Sequence, residues 1–591
     1  MFQTYEVTAR PDEGPPRVAK LRDWMAAQGL DAFIVPRADM YQGEYVAPSD
    51  ARLAWISGFT GSAGFAVITT DRAALFLDGR YTVQGRAQTD ADTFEIVNWP
   101  ATTLSAWLPT ALADGATVGL DPWLHTVKEV DALRKLDTLQ IIDSANGVDA
   151  IWTDRPAPPS APMSAYPAAL AGRDHTAKRT EIAAALVAGD VDAFLTTQPD
   201  AVAWLLNIRG ADIERTPIAQ AFALIHKDTH VDLICDPAKA APVTAHLGPD
   251  IRVVPPEDAP ALLARTPGTV GYDAATCPAA LPDLMVRAKA MDDPIALPKA
   301  CKSEAEIAAT KTAHLRDAAA MCRFLRWLDE VPAGTTEIDV AKALEGFRRD
   351  SNALLDISFE SIVGSGPNGA IVHYRVNEET NRALDQDSVL LVDSGGQYLD
   401  GTTDITRTIP LGTPPPDVCH AFTRVLQGMI AVSRTRFPVG VAGAHLDALA
   451  RAPLWAEHRD YDHGTGHGVG VYLGVHEGPQ RISRVSQVPL KPGMILSNEP
   501  GYYREGAFGI RIENLITVVE ATRPPGGDDR EMLAFDTLTW VPIDRRLIRA
   551  DLLSAEERAW IDTYHKTVAE HLHTTLDGAD LDWLMRMTAP L

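Results

Sequence analysis

The sequence predicts an α/β (α+β) protein of three domains, two duplicated α/β modules followed by a larger mixed domain. Three observations carry this reading: the length, a repeat in the first half, and a change of periodicity in the second. At 591 residues the chain exceeds what one core organises, and a prior of one domain per ~150 residues suggests about three or four. DAFI at 31–34, AWISGFTG at 54–61 and ALFLDGR at 74–80 are echoed in order by DAFL at 192–195, AWLLNIRG at 203–210 and DLICD at 232–236. Unequal spacing of the echoes is what a duplicated module with varied loops gives. RPAPPSAP at 155–162 and PIALPKA at 294–300 read as linkers. The expected domains are therefore 1–158, 159–298 and 299–591.

Each repeat mixes short β-rich runs such as AGFAVITT with helical stretches such as VAKLRDWMAAQG. After the second proline-rich seam, Ser303 and Glu306 form a capping box, and Leu315, Met321, Phe324, Leu325 and Leu328 supply the apolar stripe of a long helix. Thr336 and Asp339 repeat the signature before VAKALEGF. From about 385 the pattern turns to strands in SVLLVDSGG, TTDITRTI, MILSNEP and GIRIENLITVVE. In the last, alternation sets Arg511 and Glu513 opposite Ile510 and Ile512. Ser554 and Glu557 cap a final helix whose stripe of Ile561, Tyr564, Val568 and Leu572 is either core or a subunit contact.

Lys and Arg number 54 against 79 Asp and Glu, a net charge of −25 spread along the chain. This disfavours nucleic acid or an anionic membrane as partner. No window approaches the roughly 18 apolar residues of a membrane span, and MFQTYEVTARPDEGPP lacks a signal-peptide pattern. The five cysteines form no C-x-x-C pair and are expected to be buried thiols in a reducing compartment. An acidic cytosolic enzyme fits this balance.

The strand-like run LLVDSGGQYLDGTTDITRT carries Asp393 and Asp404 among apolar residues. An ionised carboxylate taken out of water needs a counter-charge. With a turn in QYLDGT, two antiparallel strands set both carboxylates on one face. HGTGHGVG at 463–470 surrounds two histidines with glycines that permit close backbone approach. With His373, His476, Glu499 and Glu513, the third domain holds four histidines bracketing four carboxylates. Carboxylates packed together bind protons unless cations neutralise them, so two divalent cations are expected. Three other motifs fail. HEGPQ has Gln480 where a zinc protease needs histidine; GSGPNG at 364–369 reads as an extended segment rather than a phosphate loop; no G-x-S-x-G frames a serine.

The ordered set Asp393 in VDSGG, Asp404 in TTDITR, His467 in HGTGHGVG, Glu499 in NEPGYY and Glu513 in GIRIEN resembles the dinuclear members of the pita-bread family, which includes methionine aminopeptidase, prolidase, creatinase and aminopeptidase P. The chain is most similar to the long, three-domain, cytosolic aminopeptidase P type. The resemblance covers nearly the whole chain, with two creatinase-like domains, a pita-bread catalytic domain and a C-terminal extension from about 530.

The resemblance implies that Asp393 chelates one metal, His467 and Glu499 the other, and that Asp404 and Glu513 bridge them. Oxygen-rich ligation with one imidazole suits two Mn²⁺, with Zn²⁺ or Co²⁺ as alternatives. It implies hydrolysis of the N-terminal Xaa-Pro bond by a hydroxide bridging the metals, with Glu499 handling its proton. His476 and His373 would hydrogen-bond the substrate, His463 would line the proline subsite, and Tyr503 and Arg511 would hold the carboxylates and the tetrahedral species. Arg80 is either a wall of a neighbouring subunit's site or a turn-stabilising arginine. A cytoplasmic homodimer paired through the third domain is implied as well. Prolidase, a non-catalytic peptide-binding relative and metal-free creatinase are the alternatives, the last two disfavoured by retention of all five ligand types.

Overall fold

The computed structural model describes residues 1–591, which divide into two compact units, Thr8–Lys299 on one hand and Met1–Val7 with Ala300–Leu591 on the other. Within Thr8–Lys299 the duplication is explicit. Ala32–Pro36 pairs antiparallel with Phe65–Thr69 and parallel with Thr117–Leu120, and its sheet is completed by Ala73–Leu77, Glu95–Asn98 and Gln140–Asp143. Ala193–Thr196 repeats the plan with Phe222–His226 antiparallel and Val270–Tyr272 parallel, completed by Val231–Ile234, Ile251–Val254 and Ala288–Ala290. Both sheets have six strands in the same relative order. The sequence echoes fall on equivalent elements: the first strand, the helices Arg52–Ser57 and Pro199–Leu206, and the third strand.

The two modules are held to each other by polar bonds and apolar contact. Gln220 Nε2 donates to Asp39 Oδ2 at 3.0 Å and Gln198 Nε2 to the Tyr41 carbonyl at 3.0 Å. Tyr41 and Trp123 pack on the second module's core. The first proline-rich seam has no regular structure over 155–163. The second does not behave as a loose linker: Ala296–Ala300 is a short helix, Ile295 and Ala300 are buried, and Lys299 Nζ binds Asp200 at 2.7 Å. Burial of these apolar residues is worth more than chain freedom there.

In the other unit, helix Glu304–Leu328 begins at the expected Ser303/Glu306 capping box. Met321, Phe324, Leu325 and Leu328 face the core, while Leu315 is only half-buried. Asp317 is buried instead, because the Arg348 guanidinium pairs with it at 2.7 Å. Ser388–Ser394 pairs antiparallel with Ile405–Leu411 and Ile362–Ser365. A second sheet runs, in spatial order, through Phe437–Pro438, Met532–Thr537, Asn514–Glu520, Ile495–Asn498, Gly466–Gly468 and Glu477–Ile482. Ile561, Tyr564, Val568 and Leu572 of helix Ala555–Leu572 are all buried in the core, which settles that stripe as packing within the chain.

Three local expectations are corrected. GIRIENLITVVE is two strands, Phe508–Arg511 and Asn514–Glu520, in different sheets. Ile510, Arg511, Ile512 and Glu513 are all buried, so both faces are lined and polar alternation does not mark a solvent side. GSGPNG is extended only at Gly364 and Ser365, the end of strand Ile362–Ser365, and then forms the short 3-10 turn Gly366–Ala370. Of the cysteines, Cys235, Cys277 and Cys322 are buried, whereas Cys301 and Cys419 are half-buried; all are free thiols.

Candidate metal centre

The hairpin expected from the sequence forms. Asp393 lies opposite Thr406 in the pair Ser388–Ser394/Ile405–Leu411, and Gly396–Tyr398 folds onto Gly401–Thr402 through the QYLDGT turn. Asp404 thus ends up beside Asp393, both buried. Glu513 sits at the break between the two strands of GIRIENLITVVE, where its backbone N–H donates to the Thr406 carbonyl at 3.1 Å and its carboxylate accepts from Thr406 Oγ1 at 2.8 Å.

The glycines of HGTGHGVG bring His467 in. A Cβ on Gly466 would lie 2.0 Å from the Ser497 carbonyl oxygen, so only glycine admits this strand-to-strand approach. His467 Nε2 then stands 3.4 Å from both Asp404 Oδ2 and Glu499 Oε1, and Ser497 Oγ donates to Glu499 Oε1 at 3.1 Å. Ligand atoms of Asp404, His467 and Glu513 lie within 4.8 Å of one another. Arg511, buried, binds Asp393 Oδ2 at 2.7 Å, Thr406 Oγ1 at 3.1 Å and the Tyr503 hydroxyl at 2.6 Å. That hydroxyl also meets His463 Nε2 at 2.9 Å.

The electrostatics report how crowded the carboxylates are. Burial raises the Asp404 carboxyl to about 6, reinforced by Asp393 and Glu499 and opposed by the His467 hydrogen bond. Burial, then the charges of Asp404, Glu499 and Asp393, holds Glu513 well above the carboxylate range. Burial alone would lower His467, but Asp404 and Glu499 outweigh it and hold the imidazole at about 9. Asp393 Oδ1, Asp404 Oδ1 and Glu513 Oε1 are buried with no hydrogen-bond partner. Three acceptors buried and bare on three different carboxylate side chains, with an imidazole in reach, are a donor set fitted to divalent cations.

Comparisons with known proteins show the family. Metallopeptidase family M24 matches residues 308–520, the Creatinase/Prolidase N-terminal domain matches twice, at 17–151 and 154–306, and the C-terminal region of peptidase M24 matches 531–591. The "Probable Xaa-Pro aminopeptidase P" of Talaromyces stipitatus is 39% identical over 97% of this chain and 92% of its own. The chain belongs to metallopeptidase family M24. An X-prolyl aminopeptidase structure from Caenorhabditis elegans, described as a cytosolic enzyme with a di-nuclear active site, superposes with a TM-score of 0.92 at 32% identity, covering 98% of this chain and 99% of that one. A prolidase structure from Thermococcus sibiricus covers 64% of this chain and 99% of its own, at 23% identity and a TM-score of 0.51, and shares the fold.

The other sequence candidates take distinct places. His476 is exposed, with its ring 4.3 Å from that of His467. His373 is half-buried beside Val372, whose carbonyl accepts from Arg511 at 3.4 Å. Arg80 belongs to the Thr8–Lys299 unit, where Nε and Nη2 bind Asp78 at 3.0 and 2.7 Å, a turn-stabilising arrangement. Sequence reasoning missed Thr406 and Ser497, which aim Glu513, Arg511 and Glu499.

Arg511 supplies a further prediction. Arg511→Met strands a buried Asp393 carboxylate without its cation, and breaking a buried pair from one side costs about 3–5 kcal/mol. The metal-free variant is expected to melt markedly below the metal-free parent; an equal melting temperature would contradict the pairing.

Proposed function

We propose that this M24 enzyme is a metal-dependent Xaa-Pro aminopeptidase, removing the first residue of peptides whose second residue is proline. The observation that carries the reading is the cluster of Asp393, Asp404, Glu499, Glu513 and His467 with three buried carboxylate oxygens free to ligate. Asp393, Asp404, His467, Glu499 and Glu513 would hold two divalent ions, and the oxygen-rich set favours Mn²⁺ over Zn²⁺ or Co²⁺. Bound there, the ions supply Lewis-acid polarisation of the scissile carbonyl and lower the pKa of a water towards neutrality.

The protein's own groups do the rest. Glu499 takes the proton of the attacking water and returns it to the leaving proline nitrogen. Burial pushes the Tyr503 phenol up to about 12, so it stays protonated between Arg511 and His463 and keeps both in register. His476, open to solvent next to His467, and His373 donate to the substrate carbonyl and backbone. His463 lines the pocket for the proline ring, and Arg80 keeps its local role at Asp78. A bond to proline lacks an N–H and has a fixed ring, so a pocket must replace strand-type recognition.

The names and full-length coverage of the relatives support the aminopeptidase over a dipeptidase, and the duplicated N-terminal modules favour longer peptides. The cytosolic C. elegans neighbour supports a cytoplasmic location, and no helix is long and apolar enough to cross a membrane. A homodimer through the third domain completes the proposal. The test is an assay of chelated and Mn²⁺-reloaded protein. Reloaded enzyme is expected to release arginine from Arg-Pro-Pro and alanine from Ala-Pro-Ala. Cleavage of Ala-Pro with Ala-Pro-Ala untouched would make it a prolidase, and no cleavage with metal bound would make it a binding protein.

A further inference from the structure

Helix Gly443–Trp455 carries Asp447 and Arg451 one turn apart, and neither belongs to the five metal-ligand candidates. Both side chains are buried, 1% and 2% exposed. A buried guanidinium is costly unless its donors are used. All five N–H groups of Arg451 are: Nε and Nη2 to Asp447 at 2.7 and 3.2 Å, Nη1 to Asp460 Oδ1 at 2.8 Å and the Tyr461 carbonyl at 2.7 Å, and Nη2 to the His463 carbonyl at 2.6 Å. Its guanidinium also lies 3.9 Å from the Tyr461 ring centroid, and that ring is 4.8 Å from the His463 ring.

Asp447 holds the other end of the same loop, accepting from Thr465 Oγ1 at 2.7 Å. Thr465 Oγ1 also bonds the Tyr461 hydroxyl, and the Thr465 carbonyl accepts the Glu499 backbone N–H at 2.8 Å. The ion pair therefore grips residues 460–465 at both ends, with His463 between the grips. The His463 imidazole meets the Gly464 carbonyl at 2.8 Å through Nδ1 and the Tyr503 hydroxyl at 2.9 Å through Nε2. One of these contacts lies within the loop itself, so the backbone on which His463 stands sets where its ring points.

We infer that Arg451 and Asp447 are positioning residues that set selectivity for proline by fixing the loop on which His463 stands. The inference rests on the proposed activity and on His463 as the wall of the proline pocket. A lysine at 451 keeps the charge, but three donors on one ammonium cannot span Asp447, Asp460 and two carbonyls in the planar fork that arginine presents. A displacement of the ring of about 1 Å is enough to change rates by orders of magnitude.

The experiment measures kcat/KM for Ala-Pro-Ala and Ala-Ala-Ala on Mn²⁺-loaded parent, Arg451→Lys, Thr465→Val and Thr465→Ser. The ratio of the two values is independent of the fraction of active protein, so general loss of structure does not move it. Arg451→Lys is expected to lower the Pro/Ala ratio by about tenfold, chiefly through KM for the proline peptide. Thr465→Val, which deletes only the hydroxyl that Asp447 holds, is expected to lower it less, and Thr465→Ser to restore it. Bound metal per chain, by atomic emission, is expected to match the parent in all of them. Should Arg451→Lys fail to fold, the Val and Ser pair at 465 decides. Parental ratios in the folded variants, even with lower rates on both peptides, overturn the inference alone. A parent that cleaves neither peptide overturns the proposed activity, and the inference with it.

Discussion

Asp404→Ala is expected to lower kcat/KM on Arg-Pro-Pro by about 10³-fold or more while leaving a folded chain. Asp404 is the meeting point of the centre. It lies beside Asp393 at the hairpin, its Oδ2 is 3.4 Å from His467 Nε2, and its Oδ1 is buried and bare. As a proposed bridge, its loss removes a ligand from both metals at once, so uniform weakening of substrate binding cannot mimic the outcome. The fold should survive, because deleting one carboxylate from a like-charged buried cluster relieves repulsion when metal is absent. Near-parental circular dichroism, reduced metal content and lost turnover together are the expected result. A variant that holds its metal and turns over normally would dismiss Asp404 as a bridge.

Metal removal should expose a second, larger-scale effect, a stability that depends on pH in the direction opposite to that given by ordinary salt-bridged carboxylates. The folded Asp404 carboxyl sits at about 6 against an ordinary 3.8, so the native chain binds the extra proton. Its contribution is complete below about pH 4 and is lost as pH rises through about 6, a cost of about 3 kcal/mol for a shift of this size. His467, held at about 9 against 6.5 by Asp404 and Glu499, acts in the same sense. Its contribution, relative to an ordinary imidazole, is present below about pH 6.5 and is lost as pH rises through about 9. Glu513, raised by burial and by its neighbours, acts in the same direction. Chelated protein is therefore expected to melt lower at about pH 8 than at about pH 5.5, and Mn²⁺ to restore more stability at the higher pH, since ligands must shed protons to bind metal. Thermal melts of chelated and reloaded samples at the two values check this. Equal metal-induced shifts at both would mean that the carboxylates are not proton-loaded in the metal-free state.

The buried carboxylates Asp393 and Asp404 were legible because burying charge is so expensive that an aspartate amid Val, Leu and Ile is itself a signal. Thr406, Ser497 and Arg451 gave no comparable signal. Threonine and serine are ordinary in strands and loops, and an arginine on helix Gly443–Trp455 looks like a solvated charge until the helix is packed. Leu315 and Asp317 make the same point in reverse. Periodicity put the leucine inside, yet Arg348 at 2.7 Å is what buries the aspartate.

By itself the sequence picked out the acidic residues proposed to carry the chemistry, and determined where the helices Glu304–Leu328, Glu337–Arg349 and Ala555–Leu572 start and that the first half is a module used twice. These matters are decided by capping bonds, by burial costs and by patterns that recur along the chain, without reference to a packed partner. Only the tertiary structure decided that GIRIENLITVVE breaks between two sheets to deliver Glu513, that PIALPKA carries the short helix Ala296–Ala300, and that Arg451 holds the His463 loop. Such features depend on partners far along the chain, and their energies exist only once a second element supplies the carbonyl, carboxylate or apolar face they meet.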